Sequence, residues 1–105
     1  MTDRINKLKE FLEKQPHDSF LQHALALEYV KMEDDPVARK LFETILEREP
    51  GYVGSYYHWG RLLERVGENN EAIAVYEKGI AAAKAAGDNH SRNELQMALD
   101  DLMDV

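Results

Sequence analysis

The four histidines are the residues of this sequence best suited to metal binding or acid–base catalysis. His17, His23, His58 and His90 include no His-Glu-x-x-His motif and no close pair of the kind that a zinc site uses. The sequence has no cysteine, which excludes disulfides, thiolate nucleophiles and cysteine metal ligands. We therefore predict no metal site and no cofactor, and expect the histidines at most to make partner binding pH-dependent.

The other residues that could do chemistry also lie outside any catalytic pattern. The six glycines are dispersed along the chain and form no phosphate-binding loop. Ser19, Ser55 and Ser91 each lie near a predicted helix start, where serine is a natural residue, and none belongs to a Gly-x-Ser-x-Gly motif. The acidic runs at 33–35 and 100–104 lack the spacing of a calcium loop. The sequence therefore predicts a protein that is not an enzyme.

Length and charge narrow the class of protein further. The chain has 105 residues, which is the size of one domain. Thirteen basic and twenty acidic residues give a formal charge of −7, so neither nucleic acid nor an anionic membrane is an expected partner. No apolar run follows Met1 as in a signal peptide, and none approaches the ~18 residues of a membrane helix. We expect a cytoplasmic protein.

A repeat of 34 residues organises the chain. Shifting the sequence by that length superposes apolar or small residues: Leu25 on Trp59, Ala26 on Gly60, Tyr29 on Leu63, Ala38 on Ala72, Phe42 on Tyr76, and Leu46 on Ile80. The reverse shift places Phe42 on Leu8 and Pro50 on Pro16. One structural unit is therefore repeated.

Each unit has the spacing of two helices joined by a short turn. Ala38, Phe42 and Leu46 recur every four residues and share one helix face. Just before them, Asp35 and Pro36 are typical of a helix start, with Asp35 as the N-cap. Applied along the chain, such signals predict six helices, over about 3–15, 18–32, 36–48, 53–66, 70–86 and 88–103.

The small residues within the first helix of each unit indicate how the helices pack. Ala26 and Gly60 lie mid-helix, where glycine costs about 1 kcal/mol relative to alanine. We expect these positions to let the paired helix approach closely. Phe42 and Tyr76 would then fill the space between successive helices.

The repeated positions resemble the tetratricopeptide repeat, whose pattern is Trp-x2-Leu-Gly-x2-Tyr, then Ala-x3-Phe, then Pro, with a period of 34. They are Gln22, Leu25, Ala26, Tyr29, Ala38, Phe42 and Pro50 in the first unit, and Tyr56, Trp59, Gly60, Leu63, Ala72 and Tyr76 in the second. Gln22, Leu63 and Lys84 depart mildly from the pattern. The resemblance implies an all-α, right-handed superhelical stack of antiparallel helix pairs in a single domain. A half repeat at about 3–16, full repeats at about 19–52 and 53–86, and a capping helix at about 88–103 would compose it.

The same resemblance implies a binding site. In this family the first helix of each pair lines a concave groove, which usually holds a peptide of a partner protein. Carried over by position, the groove residues are Phe20, His23, Leu27, Lys31, Tyr57, His58, Arg61, Arg65 and Arg92, with Ala24, Gly54, Asp88, Ser91 and Leu95 beside them. Three of the five basic residues after position 52 fall in this set. We therefore expect a locally basic groove and an acidic or apolar partner.

Alternatives stay open for individual residues. Arg61 and Arg65 either bind ligand or only pair with glutamates on their own helix. Tyr57 is either a ligand contact or a neighbour of the core. The clamp that some members use for the acidic tail of heat-shock chaperones is not expected, because only Arg92 of its residues is present and Asp88 would repel a carboxylate.

The sequence as a whole predicts a non-catalytic protein-interaction module that binds a peptide or partner segment in a concave groove. The alternative is a self-association or scaffold module, in which the end helices, or an exposed edge of the fifth helix, build a homodimer.

Overall fold

The computed structural model describes residues 2–104, and every regular element in that range is an α-helix. The helices are α1 (Thr2–Lys14), α2 (Ser19–Lys31), α3 (Asp35–Arg48), α4 (Gly54–Arg65), α5 (Asn69–Ala86) and α6 (Asn89–Met103). The all-α prediction is confirmed, and each predicted helix end lies within one residue of the observed one.

The helices form two compact units that divide between Glu49 and Pro50. The first unit contains α1, α2 and α3, and the second contains α4, α5 and α6. The division falls close to the predicted repeat boundary at 52–53. That the two units compose a single domain stays a prediction.

The core of the first unit is built on both faces of α2. Leu25 is buried against Ile5 and Leu8 of α1. Arg4 at the start of α1 donates a hydrogen bond to Glu28 near the end of α2, with 3.0 Å from Nε to Oε2, so these helices run antiparallel. On α3 the side chains of Ala38, Phe42 and Ile45 are fully buried. Burial of this kind contributes about 1.5–3 kcal/mol for each large apolar side chain.

One hydrogen bond recurs in both units at positions 34 residues apart. Gln22 Nε2 donates to the carbonyl oxygen of Pro16 at 3.1 Å, and Tyr56 Oη donates to that of Pro50 at 2.6 Å. Gln22 also accepts a bond from Arg48 Nη2 at 2.8 Å. Gln22 therefore replaces the aromatic residue of the repeat pattern while keeping its bond to the preceding turn.

The second unit depends on close approach between α4 and α5. A Cβ atom on Gly60 would overlap the ring of Tyr76, with 2.7 Å to Cδ1 and Cζ. One turn away, a Cβ atom on Gly79 would lie 2.6 Å from Tyr56 Cβ and 3.0 Å from Leu95 Cδ1. The expectation that Gly60 allows the paired helix to approach closely is confirmed.

Three helices end with the same backbone turn. Glu33, Gly67 and Gly87 follow α2, α4 and α5 with φ of 58°, 84° and 70°, which is the left-handed conformation of a Schellman motif. The next residue closes each turn by donating to a carbonyl five residues back, as in the 2.9 Å bond from Asp34 N to Tyr29 O. Glu33 is the only one of the three with a side chain that disfavours this conformation.

Aspartate is the N-cap of three helices in the described range, α2, α3 and α6, and its side chain caps two of them. Asp18 before α2 and Asp88 before α6 each accept a backbone N–H bond three residues on, at 3.0 Å. The predicted N-cap at Asp35 is wrong. The helix begins at Asp35 and the N-cap is Asp34, whose side chain makes no capping hydrogen bond.

We predict that Gly60→Ala destabilises the protein by about 1–3 kcal/mol or more, because the added methyl must displace the Tyr76 ring in a close-packed core. Gly54→Ala is the matched control, since a Cβ atom there meets nothing within 4 Å. Urea unfolding followed by the fluorescence of Trp59, the single tryptophan, measures both variants. Equal midpoints for the two variants would contradict the close approach.

We predict that Glu33→Gly stabilises the protein by about 1 kcal/mol relative to Glu33→Ala. Both variants lose the same charge, and only the glycine relieves the left-handed backbone at φ 58°. Thermal unfolding should therefore separate them by about 4–8 °C. A glycine variant no more stable than the alanine variant would argue against strain at this turn.

Candidate functional site

One face of α4 is committed to the core, which leaves the opposite face for binding. Tyr56, Gly60 and Leu63 are buried, and the first two contact α5 residues. Helical spacing places other α4 residues on a separate face. They are Tyr57 and His58, which are partly buried, and Arg61 and Arg65, which are exposed. The predicted residues of α4 are thus brought together on one surface.

Two aromatic rings form the apolar part of this surface. The rings of Tyr57 and His58 meet edge to face, with centroids 5.5 Å apart and planes at 88°. Both residues are partly exposed. A partly exposed tyrosine held by a neighbouring ring offers a rigid apolar contact with a polar tip, as is common at binding sites.

The pKa of His58 indicates which residue of α6 lies nearby. Burial lowers the pKa of His58 below its ordinary value, while the negative charge of Glu94 opposes that shift. The net direction is downward, so the imidazole is neutral at pH 7. Glu94 belongs to α6, and its negative charge is close enough to act on the His58 ring.

Arg61 lies close to a polar contact between α4 and α5. The buried Tyr76 donates a hydrogen bond from its hydroxyl to Glu64 Oε2. Burial, reinforced by Glu64, raises the pKa of Tyr76 strongly, and the charge of Arg61 acts in the opposite direction. Glu64 therefore serves the α4–α5 contact, while the exposed side chain of Arg61 lies beside it. We call the surface made by Tyr57, His58, Arg61, Arg65 and Glu94 the α4–α6 face.

The register of α6 differs from the predicted one. Leu95 was expected to line the groove, but it is only 1% exposed and its Cδ1 lies near Gly79 of α5. Asp88, also expected there, caps α6 through the backbone N–H of Ser91. That bond is the main reason why the pKa of Asp88 is lowered. The prediction of Leu95 as groove lining is wrong, that of Asp88 stays a prediction, and Glu94 was missed.

The cause is a shift of two residues relative to the 34-residue period. The capping residues Asp18 and Asp88 lie 70 residues apart, and buried Leu25 and Leu95 each come seven residues after a cap. α5 has 18 residues where α3 has 14, and a shorter connection follows it. The spacing of seven residues from a capping aspartate to a buried leucine is visible in the sequence. It gives the register of α6, and that register could have identified Glu94.

Arg92 is exposed on α6. It comes three residues before Leu95, as Gln22 comes three residues before Leu25. In the first unit Gln22 is hydrogen-bonded to Arg48 of α3. By this correspondence, Arg92 lies on the side of α6 that would face the second helix of a pair. Its role in binding stays a prediction.

The first unit carries the other predicted residues on α2. Phe20 is 69% exposed, and Leu27 is partly buried. The ring of His23 meets the core ring of Phe42 edge to face, with centroids 6.1 Å apart. We call the surface made by Phe20, His23, Leu27 and Lys31 the α2 face.

The charge of Lys31 is already engaged within its own helix. Its Nζ lies 3.2 Å from Glu28 Oε2, which also receives Arg4. The hydrogen bond from Lys31 is the main cause that lowers the pKa of Glu28, although burial raises it and Arg4 lowers it further. Lys31 is therefore a weaker anion contact than the exposed Arg61.

The described residues were also searched for a metal site and for a membrane-spanning helix. Among residues 2–104 no group of three or more acidic or histidine side chains is arranged to hold a metal ion. No helix in that range is both long and apolar enough to span a membrane.

Known structures resemble this chain over most of its length. A tetratricopeptide repeat domain protein from Salinibacter ruber, solved in solution, is 40% identical with a TM-score of 0.80, covering 84% of this chain and 89% of that one. A crystal structure of a tetratricopeptide repeat domain protein from that organism matches at 40% identity and a TM-score of 0.77, covering 81% and 94%. A Bordetella parapertussis protein matches at 26% identity and a TM-score of 0.81, covering 93% and 85%. No protein-family model and no curated protein matches the chain.

These likenesses agree with the repeat that the residues themselves display. Domains of this kind typically act as non-catalytic protein-interaction modules. The identity and coverage of the Salinibacter ruber protein, together with the helix pairs described above, establish that the chain belongs to the tetratricopeptide repeat family.

Proposed function

We propose that this protein binds a peptide segment of a partner protein on its α4–α6 face, without catalysing a reaction. The observation that carries the proposal is the arrangement of α4, whose buried residues Tyr56 and Gly60 direct Tyr57 and Arg61 outward. A helix held so firmly on one side presents the other side with little reorganisation, which reduces the cost of binding.

The chemistry of the face favours a segment that combines an apolar residue with acidic ones. Tyr57 and His58 offer aromatic surface, and Arg61 and Arg65 are exposed cations. Guanidinium groups bind carboxylates through paired hydrogen bonds. An acidic or apolar partner segment therefore fits α4 best.

Glu94 adds polarity across the face. Its carboxylate faces α4 from α6, so the face carries cations on one helix and an anion on the other. In this proposal the locally basic groove therefore also carries an acidic side chain. Such a division favours one direction of an extended peptide over the other, since the acidic residues of the ligand must lie toward α4.

The α2 face of the first unit is a second contact surface in this proposal. Phe20 supplies the large exposed apolar group, and Leu27 and His23 lie beside it on the helix. Because Lys31 is paired with Glu28, we expect this face to contribute apolar contact rather than anion binding.

We predict that Arg61→Glu weakens peptide binding by about tenfold to a hundredfold, the loss of one charge-assisted contact of about 1.5–3 kcal/mol. The probe is a peptide selected against the wild-type protein from a random library displayed on phage, with affinity measured by titration calorimetry. Lys78→Glu makes the same charge change on an exposed α5 residue of the same unit and should leave the affinity unchanged.

Two results would contradict this proposal. One is a selection that yields no binding peptide. The other is a selected peptide whose affinity falls equally in the Arg61→Glu and Lys78→Glu variants, because a general effect of net charge would then explain the loss.

We predict that the pKa of His58, measured by NMR titration of its ring protons, lies below the value of about 6.5 of a solvated histidine. Glu94→Gln should lower it further, because the carboxylate that favours the charged ring is then gone. Glu77→Gln, a matched change on an exposed α5 residue, should have no effect. If the pKa of His58 is the same in the Glu94→Gln variant as in the wild type, Glu94 does not belong to the α4–α6 face.

A further inference from the structure

The outer side of α1 forms an open hollow. It has a volume of about 620 Å³, and the described residues that line it all belong to α1, Arg4, Leu8 and Phe11 among them. Phe11 is 54% exposed. An aromatic side chain is normally buried when a helix covers it, so no described helix covers Phe11. Within its unit α1 packs on α2, and the hollow lies on the side that α2 leaves uncovered.

The repeat indicates what kind of structure covers such a side. Leu8 of α1, which packs on Leu25 of α2 and also lines the hollow, corresponds to two residues, Phe42 of α3 and Tyr76 of α5. Both of these residues are fully buried, and Tyr76 is covered by α4 at Gly60. In the second unit, therefore, an antiparallel helix of the first-helix type lies over this position. α1 is a second helix of a pair whose first helix is absent among residues 2–104.

α6 has the features of the first helix of a pair. Its capping Asp88 and buried Leu95 repeat the features of Asp18 and Leu25 at the start of a first helix. In its own unit α6 packs on α4 and α5. Its remaining sides are exposed, including Arg92, Gln96 and Asp100. α6 is thus a first helix that has no second helix paired with it in the described range.

We propose that α6 of a second copy of this chain docks on the outer side of α1, so that the two helices together complete a helix pair. The interaction is independent of the α4–α6 face and of peptide binding. It joins two different surfaces, so it is a heterologous interface.

The α4–α5 pair gives the register of the docked helices. There Tyr56 meets Gly79, and Gly60 meets Tyr76. The corresponding junction contacts pair Arg92 with Phe11, and Gln96 with Leu8. A guanidinium over an aromatic ring is favourable by about 0.5–1 kcal/mol at an exposed site.

The charges of the two helices match in this register. Arg92 would lie beside Glu10, which precedes Phe11 in the hollow. Asp100, which accepts a hydrogen bond from Gln96, takes the place of Glu64, whose carboxylate reaches the Tyr76 hydroxyl in the α4–α5 pair. Asp100 would lie near Lys7, since the neighbouring Arg4 is already paired with Glu28. Opposite charges therefore meet at both ends of the junction, and this complementarity identifies α6 as the occupant.

The junction should be weaker than a helix pair within the chain. Gln96 and Arg4 are large side chains at positions where the pairs inside the chain have Gly60 and Ala72, so the helices cannot approach as closely. We expect reversible association that increases with protein concentration.

Sedimentation velocity of the wild-type chain from micromolar to millimolar concentration tests the proposal. The wild type should associate, whereas Phe11→Lys and Arg92→Glu should each weaken association at least tenfold. A mixture of the two variants should form a one-to-one dimer, because the first retains a competent α6 and the second a competent α1. Glu10→Arg is a second α1 variant if Phe11→Lys lowers the helical circular dichroism.

Phe20→Lys is the matched control, since Phe20 is equally large and exposed but lies on α2. It should associate as the wild type does. A wild-type chain that stays monomeric at millimolar concentration would overturn the proposal. So would an Arg92→Glu variant that associates normally on its own, because α1 would then pair with a second α1.

Discussion

The close approach of α4 and α5 at Gly60 determines where the side chains of the second unit can point. The Tyr76 ring occupies the space that a Cβ atom on residue 60 would need. This contact fixes the rotation of α4 about its axis, because any turn of the helix would bring a larger side chain against the ring. In the first unit the fully buried Ala26 and Phe42 occupy the equivalent positions.

The proposed binding surface follows from that constraint. Once Tyr56 and Gly60 are committed to α5, the residues Tyr57 and Arg61 are directed away from the core, and no loop is needed to position them. Recognition then depends on side chains carried by a rigid helix, and their identity can vary without disturbing the packing beneath. This separation of a packed face from a variable face explains how a repeat can keep its fold while changing its partner.

The sequence predicted the helices well because the signals for them are local. Helical spacing and left-handed turn residues such as Gly67 depend on neighbours within a few residues. The register of α6 was not predicted correctly because it depends on the length of α5 and of the turn that follows it. A shift of two residues turns a helix by more than half a revolution, which buried Leu95 and brought Glu94 toward His58. Charge pairing such as that of Lys31 with Glu28 is likewise set by side-chain geometry.

A crystal structure of the protein with a peptide selected against it tests the central claim most directly. We predict that the peptide lies along α4, with an apolar side chain on Tyr57 and a carboxylate within hydrogen-bond distance of Arg61. A peptide bound on the outer side of α1, or on the exposed side of α5, would contradict the account.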